Sequence, residues 1–140
     1  MTIQDSSSIS DLLAQASRLS NQQIGERLKP TRLAVDSWRI LTLLEESKGM
    51  SMGELAEKLV INNPTLTKMI DRMVNDNFVY RVTAPKDRRI VLICATDLGK
   101  EVYQNASKLV RGSSLNIDYE THSASELANL LLKFIKQLRG

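Results

Sequence analysis

The 140-residue chain carries a single cysteine, Cys94, and a single histidine, His122. One thiol excludes an internal disulfide framework, and unpaired cysteine fits a reducing compartment. A lone imidazole leaves neither a multi-histidine metal site nor a histidine-based catalytic dyad to assemble. Cys94 lies within an apolar run, where a small buried hydrophobe is expected rather than a nucleophile. Long apolar stretches are also missing. The longest run, Ile90 to Ala95, is far too short to cross a bilayer. The first ten residues are polar and include Asp5, so they do not read as a secretory signal. No internal repeat and no low-complexity linker is found. These absences point to a soluble, cytoplasmic, non-enzymatic chain with no cofactor and no membrane partner.

Charge of one sign is likewise scarce. With 19 basic and 16 acidic residues the net charge is +3, which by itself identifies no partner. Its distribution is more informative. Residues 1–61 hold 7 basic and 8 acidic side chains, residues 62–90 hold 6 and 3, and residues 91–140 hold 6 and 5. The middle segment thus carries a surplus equal to that of the whole chain. A localised basic surplus is the footprint of a phosphate-binding surface, although a solvated face has the same composition.

Apolar periodicity supplies the elements. Ile9, Leu12, Leu13, Ala16 and Leu19 follow a capping-box pair, Ser8 and Asp11, and predict a helix over about 8–27 that closes before Pro30. A second helix over about 31–47 has apolar groups around most of its circumference, and Gly49 stops it. Ser51 and Glu54 form the next capping box and open a short helix with Leu55, Ala56 and Leu59 inward. Asn63 is then the expected cap of a further helix, with Pro64 at its first position. Leu66, Met69, Ile70, Met73 and Val74 keep the helical period there, and Asn77 ends it by accepting a left-handed backbone.

Beyond Asn77 the period changes to two. Phe78 to Val82 and Ile90 to Cys94 read as strands, with a polar hairpin tip from Thr83 to Arg89 between them. Thr96 and Asp97 cap a long helix carrying Leu98, Val102, Ala106 and Leu109, and Gly112-Ser113-Ser114 kinks or ends it. Ser123 and Glu126 precede a last helix bearing Leu127, Leu130, Leu131, Phe134, Ile135 and Leu138. The fold class is mainly α with one small antiparallel β-hairpin.

Two short helices joined by a tight turn, the second with a polar face, meet the requirement for reading the DNA major groove. That face presents Pro64, Thr65, Thr67, Lys68, Asp71, Arg72 and Asn75. Small hydroxyl groups let the backbone approach closely, and Lys68 can donate to a base or a phosphate. An ordinary amphipathic helix facing water would share this pattern. The hairpin strengthens the DNA reading. Asp87, Arg88 and Arg89 sit at its tip, where an arginine can enter a narrow minor groove. A carboxylate two residues earlier can hold the guanidinium in a fixed fork.

The stretch from Ser51 to Gly99 resembles the DNA-binding core of the MarR family of bacterial and archaeal regulators. The matching pieces are Ser51-Met52-Gly53-Glu54-Leu55-Ala56, then Thr65 through Met73, then Asp87-Arg88-Arg89 and Thr96-Asp97-Leu98-Gly99. The spacing of the family's Asp-x-Arg, strand and Leu-Thr-x-x-Gly pattern is kept. Ala95 stands where leucine is usual, and Asn77 where glycine is usual. The likeness is good over residues 31–110.

This resemblance implies a winged helix-turn-helix over 31–96, with helical dimerisation segments at 8–28 and 97–140. It implies a recognition helix over about 64–76 and an Arg89 braced by Asp87 in the minor groove. The expected DNA-contacting set is Ser51, Pro64, Thr65, Thr67, Lys68, Arg72, Asp87, Arg88 and Arg89. The first, fifth and sixth helices would build a homodimer, and the apolar stripes at both ends of the chain support this independently. Many relatives bind an aromatic acid or another lipophilic anion. Arg18, Trp38 and Arg39 are the candidate contacts for such an effector. Peroxide sensing through an N-terminal cysteine is excluded by its absence. The competing function is a winged helix used for protein–protein contact without DNA, against which Lys68 and Arg89 both argue.

Overall fold

A computed structural model describes residues 6–111 and 122–140. The chain divides into two units, residues 1–110 and residues 111–140. In the first, α1 (Ser6–Leu28) leads through a 3-10 turn (Lys29–Thr31) to α2 (Val35–Ser47), then β1 (Met50–Ser51) and α3 (Met52–Leu59). After these come α4 (Asn63–Asn75), β2 (Val79–Ala84), β3 (Asp87–Ala95) and α5 (Asp97–Arg111). The second unit contains α6 (His122–Arg139).

The helices form where the periods place them, with local shifts at their ends. Ser8 lies inside α1 rather than capping it. Residues 112–114, read as a kink, lie outside the described residues. α2 starts at Val35, later than the apolar pattern suggests, because Thr31 imposes its own turn. Its hydroxyl donates to the Leu28 carbonyl at 2.6 Å and accepts from the Leu33 N–H at 3.1 Å. Side chains of this kind compete with a helix for the backbone. At the other end, Lys48 takes the left-handed cap at φ 60°. Gly49 follows at φ 134°, where a Cβ would stand 3.1 Å from Cys94 Sγ.

The expected two-stranded ribbon is a three-stranded antiparallel sheet in the order β1-β3-β2. Met50 pairs with Ile93 and Ser51 with Leu92. A two-residue strand is too short to show any period. The reverse turn is tighter than the seven-residue tip read from the sequence. Only Pro85 and Lys86 separate the strands, and a register irregularity falls at Thr83/Ala84. Asp87, Arg88 and Arg89 therefore lie at the start of β3, where Asp87 pairs with Ala84 and residues 88–90 fall in the irregularity before the Thr83–Val91 pair.

The core of the first unit is Leu28, Ile40, Leu41, Leu55, Leu66, Ile70, Met73, Val79 and Ile93, all essentially inaccessible. Burying each such side chain contributes about 1.5–3 kcal/mol. Three of them, Leu66, Ile70 and Met73, form the inner stripe of α4 and anchor that helix with its opposite face outward.

α3 ends in a strained residue. Val60 caps it at φ 54°, ψ 50° and is 80% exposed. A β-branched side chain in the left-handed region collides with its own backbone. Val60→Asn should therefore stabilise the fold by about 1 kcal/mol, since little buried area is lost. Chemical denaturation checks this, and an unchanged or lower midpoint would show that the strain is absent.

Candidate nucleic-acid interface

The helix pair is set by its caps. Ser51 Oγ accepts from the Glu54 N–H at 3.2 Å and donates to Glu54 Oε1 at 3.1 Å, so Ser51 is half-buried in a capping interaction. On α4 the cap is Asn62, one residue before the expected Asn63. Its side-chain oxygen accepts from the Thr65 N–H at 2.9 Å. Adjacent asparagines are chemically equivalent caps, and Asn62 is the one with extended backbone (φ −70°, ψ 155°). Pro64 moves to the second helical position, where its missing N–H still costs nothing.

Pro64, Thr65, Thr67, Lys68, Asp71, Arg72 and Asn75 are all exposed, opposite buried Leu66, Ile70 and Met73. Among the described residues neither Lys68 nor Arg72 forms an ion pair, so both ammonium and guanidinium are available to an anionic ligand.

The end of α4 is stitched to the start of α5. Asn77 adopts φ 62°, as expected, and Phe78 N–H donates to Met73 O at 2.9 Å. Thr96 Oγ1 donates to Asn77 O at 2.6 Å and accepts from Gly99 N–H at 2.9 Å, while Thr96 N–H donates to Phe78 O at 3.0 Å. Gly99 approaches so closely that a Cβ there would lie 2.1 Å from Phe78 O.

On the ribbon, Asp87 grips Arg89 three ways. Its Oδ1 accepts from the Arg89 backbone N–H at 3.0 Å and from Nε at 3.2 Å, and its Oδ2 accepts from Nη2 at 3.3 Å. The Arg89 side chain is nevertheless 90% exposed. It is charged, fixed in orientation and open to solvent. The Arg89 side chain, followed by its backbone N–H, holds the Asp87 carboxyl below its ordinary value. A depressed carboxylate pKa means the brace is intact at neutral pH and is lost only as pH falls through that lowered value.

Residues 33–91 match the sequence model of the MarR family. Over 130 residues the chain is 28% identical to the homoprotocatechuate degradative operon repressor of Escherichia coli, covering 91% of this chain and 88% of that protein. The chain is thus similar to MarR-family sequences over residues 33–91 and to that repressor over most of its length. The structure of the transcriptional regulator BldR from Sulfolobus solfataricus superposes with a TM-score of 0.82 at 25% identity, covering 93% of this chain and 94% of BldR. A serine-for-cysteine variant of E. coli MarR, solved with operator DNA, has the same fold, with a TM-score of 0.76 at 23% identity, covering 91% of this chain and 92% of that one.

Two of the three residues considered for effector contact come together. The Arg39 guanidinium lies 5.9 Å from the Trp38 ring centre and donates to Asn21 Oδ1 at 2.9 Å. Trp38 Nε1 donates to Ser107 Oγ at 3.3 Å, joining α2 to α5. Arg18 is exposed on α1, three residues before Asn21. Two further residues were not singled out by sequence reasoning. Lys86 occupies the turn between β2 and β3 and is exposed. Arg81 on β2 forms an ion pair with Asp71 on α4. Lys86 was visible as part of a polar tip, but the Asp71–Arg81 pair had no local signal because its geometry depends on the turn at Asn77.

Proposed function

We propose that this MarR-family regulator represses transcription as a two-fold dimer seated on duplex DNA. The α4 outer face enters the major groove, with Lys68 at base edges, and Ser51, Pro64, Thr65, Thr67 and Arg72 flank it. Arg89, with Arg88 beside it, enters the adjacent minor groove from a wing held by Asp87. One observation carries this reading: an exposed cationic helix face is followed directly in the chain by a ribbon whose cationic side chain is fixed yet solvent-open. A duplex offers the matching pattern of wide and narrow grooves. The division of labour is then 31–96 for DNA and 8–28 with 97–140 for the dimer.

Dimerisation is supported by the apolar groups left on α1 and α6. Ile9, Leu12 and Leu19 on one, and Leu127, Leu130, Ile135 and Leu138 on the other, are exposed. A two-fold mate would cover them and space two recognition helices by about 34 Å, one turn of DNA. Leu131→Arg is expected to convert the dimer to monomer in sedimentation, and an intact dimer would discredit this interface.

An aromatic or lipophilic anion is the proposed effector, acting on the spacing of the two α4 helices. The name of the E. coli relative ties repression to degradation of an aromatic acid, which supports that class. Electrophoretic shifts with fragments of the chain's own promoter test the central reading. Salt-sensitive binding to one fragment at nanomolar protein is expected, followed by release with the effector class. No duplex binding at micromolar protein would favour a protein-contact role instead.

A further inference from the structure

The ribbon is held to the body of its unit at the root. Val79 on β2 and Ile93 on β3 are buried, whereas Tyr80 to Thr83 and Arg88 to Val91 are exposed. Side chains two apart share a face of a strand, so Arg81 is the next residue outward on the Val79 side. There it meets Asp71 of α4. Among the described residues this is the sole ion pair that joins the recognition helix to the wing.

Folding stability does not account for the pair. Its side chains are 38% and 61% exposed, and exposed ion pairs contribute little. The position of Asp71 is also unfavourable in isolation. Between Lys68 and Arg72 on a phosphate-facing surface it would repel the ligand. Arg81 cancels that charge and fastens the ribbon beyond the last buried residue.

We infer that the Asp71–Arg81 pair fixes the angle between wing and recognition helix, making both positioning residues for simultaneous two-groove binding. The inference rests on α4 and the wing being the DNA-contacting elements. Leverage gives it force. From Arg81 to the turn is about 10 Å at the usual strand rise, so a root rotation of about 10° displaces the turn by about 2 Å. That exceeds the tolerance of a hydrogen bond, and Arg89 would leave the groove that Lys68 has set in register.

The full chain carrying Asp71→Asn, Arg81→Gln or both is compared with the parent on an operator fragment. Each single substitution should weaken binding about tenfold, within the coupling range of contacting residues, and the double variant should be no worse than either. The unfolding transition should stay where it is. Hydroxyl-radical footprints should lose the wing's minor-groove protection, while protection of guanine N7 by α4 remains. Equal or tighter binding by Asp71→Asn overturns the inference, since Arg81 is then a phosphate ligand that Asp71 restrains. Additive losses in the double variant also overturn it, because they indicate two independent contacts. Lys68→Ala and Arg89→Ala run alongside. If neither changes binding, the site assignment itself fails, whatever the pair does.

Discussion

Gly99→Ala should destabilise the first unit by about 3 kcal/mol or more, beyond the usual range for overpacking because the collision is with backbone. The added Cβ would sit 2.1 Å from Phe78 O, an oxygen already engaged by the Thr96 N–H. Neither partner can rotate away as a flexible side chain would. Relief requires α5 to move off the end of α4, which breaks the cap between Gly99 N–H and Thr96 Oγ1. With a total stability of about 5–15 kcal/mol, such a loss leaves little margin. The midpoint of thermal unfolding should fall by about 10 °C or more at fixed protein concentration. Gly53→Ala is the matched control. Nothing lies within 4 Å of a Cβ there, and alanine inside α3 should be neutral or mildly stabilising. If Gly99→Ala melts with the parent, the α4–α5 junction is more open than described.

Arg89→Ala should do the reverse, leaving folding untouched and removing function. The side chain is 90% exposed and its partner Asp87 is on the same strand, so no core contact is lost. Each half-site of duplex should lose about 1–3 kcal/mol of binding. Because a minor-groove arginine responds to groove width, the loss should spread over many sequences rather than one base pair. Asp87→Ala should produce a smaller loss, since the charge survives and only its orientation is released. Anisotropy titration with a labelled duplex separates the two. Parent-like affinity of Arg89→Ala would remove the wing from the interface.

The parts of this fold that follow short-range rules were legible in the sequence. α4 was readable because five apolar residues repeat at the helical period, and the structure buries Leu66, Ile70 and Met73 accordingly. Ser51 and Glu54, Thr96, and Asn77 were readable because caps act within three residues. The Asp87–Arg89 brace was readable for the same reason, being two residues apart. What escaped depends on tertiary closure. β1 exists because Met50 and Ser51 meet β3, not because two residues prefer extended backbone. The Asp71–Arg81 pair exists because the turn at Asn77 folds β2 back toward α4. Competition among near-equivalent local choices explains the rest, as with Asn62 over Asn63 and the Thr31 turn that delays α2.

The salt dependence of operator binding is the most direct probe of whether Lys68 and Arg89 act together on one duplex. If both replace counterions in each protomer of a dimer, the Lys68→Ala, Arg89→Ala double variant should flatten the slope of log K against log salt by up to about 4. Its unfolding transition should match the parent's. Identical slope and affinity for parent and double variant would mean that the two cationic elements never touch DNA.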